Sequence, residues 1–340
     1  MFSALGPPLR GGRLAANVIG SRPRCGACGA DPRFSAGASC AAGLLLVVAA
    51  CSRPAAPPAP ASQTAAAAAA IPSTDIYLYR LSRGLIPFRS RLVNITNRPG
   101  YDNQPAFDGS AILYTSIRNG QADIWRFENA RHVQVTSTPE SEYSAALSPD
   151  GKSISVVRVE HDSTQRLWRF PTDGSPPSLV LRDIKPVGYF AWLDSTTLAL
   201  FVLGSPNTLQ IADTRTGTGR VVTTNIGRSL QRVPGGRLAS FIHRVGDKWI
   251  LKTVDPSPRT DGSWDIETVA TLPDSADYVV WKSPTELYTA AGSRIFRLRR
   301  PNTNWEPIAD LSGNGLRHIT RLALHPNGGE LAMVAEDAIK

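Results

Sequence analysis

The sequence is short of the residues that most often carry chemistry. Its four cysteines, Cys25, Cys28, Cys40 and Cys51, fall in the first 51 of 340 residues, and everything beyond them is cysteine-free. That excludes a disulfide scaffold, a thiol nucleophile and a cysteine-ligated metal from the body of the chain. No G-x-S-x-G, H-E-x-x-H or G-x-x-x-x-G-K-[ST] motif is present. Gly151-Lys152-Ser153 copies the end of the last of these, but Ala146 stands where its first glycine is required, so the triplet reads as a hairpin turn. The five histidines (His132, His161, His243, His318 and His325) form no close metal-ligand pair. No metal and no cofactor are expected. Acidic residues are the scarcer sign, 28 against 37 basic, but five Arg and one Asp in the first 50 residues supply much of the net +9. A basic nucleic-acid face is therefore not expected on the body. Helical periodicity is almost absent. The uncharged run AAGLLLVVAA (41–50) is too short for a bilayer-spanning helix, which needs about 20 residues.

What is present divides the chain in three. A hydrophobic fraction of 42% with 19% charged residues is a globular balance. Residues 1–50 read as a leader: the run at 41–50 has the length of a signal-peptide apolar region, and the arginines upstream give a positive flank. The run ends Val48-Ala49-Ala50-Cys51, which resembles the bacterial lipobox. That resemblance implies lipidation at Cys51 and a membrane anchor in the bacterial cell envelope, facing the periplasm or the exterior. Cleavage without lipid and an uncleaved anchor are the alternatives. A four-thiolate zinc site built from Cys25, Cys28, Cys40 and Cys51 would need tight turns where the sequence has LLLVVAA. Residues 51–72 are Pro/Ala-rich without a core pattern, as a tether would be.

Residues 73–340 are a repeat. Short β-rich runs alternate with Gly, Pro, Asp and Asn clusters. A recurring unit of strand, turn, strand, loop and strand reads PAFDGSAILYTSIRNGQADIWRF at 105–127 and AALSPDGKSISVVRVEHDSTQRLWRF at 145–170. Weaker copies begin near residues 190, 230, 278 and 321. The last positions of the first strands align as Phe107, Leu147, Trp192, Arg232, Trp281 and Leu324, spaced by 40, 45, 40, 49 and 43 residues. Those spacings fit a four-stranded propeller blade. After Leu324 there is room for one further strand only, whereas DIYLYRL (75–81) and RLVNIT (91–96) are two strands without a first or second. The expectation is an all-β, six-bladed β-propeller in which N- and C-terminal strands share one blade and leave no open edge.

LVNITNRPGYDNQPAFDGSAILYTSIRNGQADIWRF (92–127), with SPDGKSI in the next repeat, resembles the propeller repeats of TolB and its relatives. The resemblance runs in weakening form over 73–340. TolB itself carries an α/β domain before its propeller, and prolyl oligopeptidases place a hydrolase beside theirs; neither domain is expected in residues 1–340.

In a propeller, the segments leading into the innermost strands open on one rim. Here they carry Tyr101, Asp102 and Asn103, then Glu142 and Tyr143, Tyr189, Arg228, Asp277 and Tyr278, and Arg317 and His318. Four of the six segments hold a tyrosine, a residue with a large apolar face and a polar tip that suits interfaces. The same rings could instead pack between blades. The leading expectation is a monomeric, non-catalytic scaffold of the envelope that binds a protein or peptidoglycan-associated partner, and the TolB resemblance implies protein partners at this rim. The alternative is a propeller enzyme of sugar lyase or lactonase type, with Glu142, Asp277 and His318 at the channel mouth.

Overall fold

A computed structural model describes residues 72–81 and 92–336. The leader, the tether and Cys51 lie outside the described residues. β1 (Thr74–Arg80) and β2 (Leu92–Asn94) come first in the chain. Blade 1 follows as β3 (Asp102–Asp108), β4 (Ala111–Arg118), β5 (Gln121–Glu128) and β6 (Arg131–Gln134). Blade 2 is β7 (Ser141–Leu147), β8 (Ser153–Val159), β9 (Gln165–Pro171) and the two-residue β10 (Ser178–Leu179). Blade 3 is β11 (Val187–Trp192), β12 (Thr197–Val202), β13 (Thr208–Asp213) and β14 (Thr218–Thr224). Blade 4 is β15 (Ile226–Arg232), β16 (Ala239–Val245), β17 (Lys248–Val254) and β18 (Ile266–Thr271). Blade 5 is β19 (Val279–Ser283), β20 (Glu286–Ala291), β21 (Arg294–Arg299) and β22 (Glu306–Asp310). β23 (Ile319–Leu324) and β24 (Glu330–Glu336) end the series.

Each blade is a four-stranded antiparallel sheet in chain order, except the sixth, which runs β2-β1-β24-β23. There β1 pairs with β24 over seven residues, from Thr74 opposite Glu336 to Arg80 opposite Glu330. The expected propeller and its shared blade are thus what forms. The aligned first-strand ends also hold: β7, β11, β15 and β23 stop at Leu147, Trp192, Arg232 and Leu324. Among the described residues no helix is long and apolar enough to cross a membrane.

Local chemistry accounts for the hairpins. Asn119 and Gly120 between β4 and β5 have φ of 51° and 81°, the two positive values that a type I′ turn demands. The second strands are largely buried, SISVVRV throughout and AILYTSIR over its first six residues, because each blade packs a neighbour on both faces. The core therefore lies between blades. One cluster joins Ile76, Val334 and Ala332 of the shared blade to Ile112 and Tyr114 of blade 1. On the shared blade's other side, Leu322, Leu331 and Met333 meet Val280, Tyr288 and Ile295 of blade 5. First strands adjoin one another around the axis, with β3 beside β7, β11 beside β15, and β23 between β19 and β3.

Candidate functional site

All six first strands carry a β-bulge or register shift: β3, β7, β11, β15, β23 and, at its end, β19. Counting back from the aligned ends, Tyr189, Tyr278 and Arg321 stand three positions before Trp192, Trp281 and Leu324. Tyr143 and Arg228 stand four before Leu147 and Arg232, because the bulges of β7 and β15 insert a residue in between. These five residues occupy one depth on the inner strands of blades 2 to 6. Tyr101, just ahead of β3, joins them electrostatically.

Arg321 is at the centre of this ring. It is 5% exposed. Its Nη2 donates a 2.8 Å hydrogen bond to the Tyr189 hydroxyl, and blades 6 and 3 are opposite one another in a six-fold ring. The guanidinium carbon lies 4.8 Å from the Tyr189 ring centroid and 5.7 Å from that of Tyr278, within cation–π range. Burial works to lower the Arg321 pKa, but Tyr189, Tyr101 and Tyr278 together raise it, so the group stays charged. Burial pushes the Tyr101, Tyr143 and Tyr278 phenols up. Burial also acts to raise Tyr189, but Arg321 and Arg228 outweigh it and hold that phenol below its usual range.

The second arginine is differently placed. Arg228 Nη2 is 2.9 Å from Asp277 Oδ2 and donates to the Thr320 carbonyl at 3.3 Å, tying blades 4, 5 and 6 together. Gly227 just before it faces Trp249: a Cβ there would sit 2.8 Å from the indole ring. Glycine is what lets β15 approach so closely.

The other residues expected at the rim divide by strand alternation, since successive side chains point to opposite faces. Asp102 and Glu142, each next to a ring tyrosine in sequence, are both 0% exposed. Asp102 pairs with Arg98 at 3.0 Å. Glu142 accepts a hydrogen bond from the Thr138 hydroxyl and lies 3.3 Å from Arg158 Nε. Burial pushes its pKa up to about 7, against the lowering effect of Thr138, Thr136 and Arg158. Asn103 is buried, its amide 3.5 Å from Thr74 Oγ1. Arg317 and His318 are exposed, and His318 Nδ1 lies 2.9 Å from Glu336 Oε1. Glu142, Asp277 and His318 are therefore held by three different partners rather than gathered into one constellation.

Sequence reasoning missed Arg321. It assigned the sixth position of the ring to Arg317 and His318, the residues leading into the strand, whereas equal spacing from Leu324 reaches Arg321. That spacing was the available signal.

No protein-family model matches the sequence, and no curated protein sequence matches it. Solved structures do. A structure assigned as TolB from Agrobacterium tumefaciens is 16% identical, with a TM-score of 0.59 over 78% of this chain and 99% of that one. A gluconolactonase from Xanthomonas campestris is 10% identical, with a TM-score of 0.54 over 78% of this chain and 95% of that one. The chain covers 48% of TolB from Acinetobacter baumannii, at 20% identity and a TM-score of 0.44. At these identities the likeness is one of fold: the chain is similar in architecture to the Agrobacterium TolB structure and also to the Xanthomonas gluconolactonase.

Proposed function

We propose that this chain is a non-catalytic interaction module of the bacterial cell envelope, binding a protein or peptidoglycan-associated partner through the ring of Tyr101, Tyr143, Tyr189 and Tyr278. The observation that carries the reading is that phenols from blades 1, 3 and 5 (Tyr101, Tyr189 and Tyr278) act on one arginine, with Tyr143 of blade 2 coupled to Tyr101, while Tyr143, Tyr189 and Tyr278 also pack against inter-blade cores. Tyrosine anchors of this kind give large contact area with little loss of side-chain freedom. The fold likeness to TolB structures agrees with an envelope role. The lipobox-like Val48-Ala49-Ala50-Cys51 supplies the tether, and stable anchoring takes more than one acyl chain.

A pull-down from native membranes tests the binding role. Wild-type protein is expected to retain an envelope partner that the triple variant Tyr101→Ala, Tyr143→Ala, Tyr278→Ala releases while still folding. A variant that keeps every partner would return the tyrosines to a packing role. Mass spectrometry of the mature N-terminus tests the anchor: an unmodified peptide spanning residues 48–54 would remove it.

A further inference from the structure

We infer that the Arg321 ring is a binding site for a single carboxylate group. A guanidinium presents five N–H donors in a planar fork. At Arg321 one of them is used, on the Tyr189 hydroxyl, and Nε has no partner among the described residues. No carboxylate pairs with Arg321 among the described residues, although 17 ion pairs form elsewhere. A buried charge is ordinarily paired, because leaving it alone forfeits its hydration without return. The hydroxyls of Tyr101 and Tyr278, which flank the same guanidinium, make no hydrogen bond within the described residues either. What converges on this point is one cation whose sole acceptor is the Tyr189 hydroxyl, with no anion paired to it among the described residues.

Charge and shape select the ligand. The Arg228–Asp277 pair next to the ring is internally neutral, so Arg321 leaves one positive charge unmatched. A monoanion balances it. A dianion such as sulfate would overshoot and meet the Asp277 carboxylate. A planar carboxylate accepts two parallel N–H bonds from the fork, with phenol hydroxyls left to approach its other lone pairs. Arg169 also has a buried Nε without a partner and no ion pair among the described residues, but only one aromatic ring, that of Trp192, faces it. A depression of about 550 Å³ lined by Asp274, Ser293, Arg294 and Asp310 has its cation and anion bound to each other at 3.1 Å. The carboxylate comes either from the side chain or terminus of a protein partner, or from a free small acid. The inference rests on the interaction reading only for that choice.

The test uses the full chain with acetate as the probe, against acetamide and sulfate at equal ionic strength in chloride buffer. Melting temperature and calorimetric titration are the readouts. Acetate is expected to raise the melting temperature saturably and acetamide and sulfate to leave it unmoved. In Arg321→Gln the acetate needed for half the effect should rise by at least about tenfold, the loss of one charge-assisted bond. Arg321→Met should melt at or above wild type in carboxylate-free buffer, because it removes a charge with no counter-ion. Four results would each overturn the site: no acetate effect on wild type, an equal effect on Arg321→Gln, an equal effect of sulfate, or an Arg321→Met protein that melts well below wild type. Acetate that elutes a captured partner assigns the carboxylate to that partner; acetate that stabilises without eluting assigns it to a free acid. Acetate binding without any captured partner sinks the interaction module and leaves the site. A captured partner lost with the tyrosines, but no acetate effect, does the reverse.

Discussion

Two joints between neighbouring blades bury a carboxylate at the same repeat position and resolve it differently. Where the shared blade meets blade 1, Asp102 lies opposite Ser116 on β4. Where blade 1 meets blade 2, Glu142 lies opposite Arg158 on β8. Both take a partner four residues back. For Asp102 that partner is Arg98, whose guanidinium also donates to Ser116 Oγ and to the Ile117 carbonyl, each at 2.8 Å. For Glu142 it is the Thr138 hydroxyl, and the arginine across the strand is shared with Glu140. At the first joint one guanidinium ties Asp102, Ser116 and Ile117 together. At the second, Glu142 shares Arg158 with Glu140, and burial raises both Asp102 and Glu142, the latter up to about 7. The tie is extended by Asp75, whose carboxylate accepts from the Asn94 amide, the Thr96 hydroxyl and the Arg98 backbone N–H.

The most severe way to break the comparison is to remove the first joint. Deleting residues 73–96 takes both outer strands from the shared blade, and the ring should lose cooperative melting altogether. A truncated protein that melts like wild type would refute the closure. Next, Arg98→Ala leaves Asp102 buried without its guanidinium, and should cost about 3–5 kcal/mol by chemical denaturation. Arg98→Lys should recover only part of this, because a point charge cannot serve Asp102, Ser116 and Ile117 together.

Both carboxylates are raised by burial, and the second joint gives the larger response to pH. A Glu142 pKa raised to about 7 from 4.5 means that the folded state holds this proton more tightly. Its contribution is fully present below about pH 4.5 and is lost as pH rises through about 7, with a limit of about 3 kcal/mol. Glu142→Gln should abolish that loss, so its stability relative to wild type should climb between those two pH values. A constant difference across the window would count against the assignment. The smallest effect serves as a control outside both joints. Ala130, in the β5–β6 turn, has φ of 58°, a left-handed value costly for a residue with a Cβ. Ala130→Gly should raise stability by roughly 0.5–1 kcal/mol without changing the pH profile.

The architecture was legible because it repeats. Six aligned strand ends fix the period, and the two incomplete terminal fragments complete each other, so blade count and closure follow from the sequence alone. The inner ring was legible only in part. The four tyrosines were visible as a recurring type, but Asp102 and Glu142 were read with them, although alternation along a strand turns adjacent side chains to opposite faces. Arg321 escaped because bulges shift the spacing between rim and ring by one residue in some strands and not in others. No local pattern in Ile319-Thr-Arg-Leu-Ala-Leu324 reveals which side chain reaches Tyr189, 132 residues away.

The start of β1 has a mechanical consequence. Thr74 forms a parallel bridge with Tyr101, its backbone N–H donates to the Gly100 carbonyl at 2.9 Å, and its hydroxyl donates to the Asp102 carbonyl at 3.0 Å. A pull on the chain ahead of Thr74 is therefore delivered next to a ring tyrosine, not to the far side of the propeller. Along the strand axis it loads the seven residue pairs with β24 in shear; across that axis it would peel Thr74 from Gly100 first. Grip and tether would then share a single load path, and tension on one would be felt directly by the other.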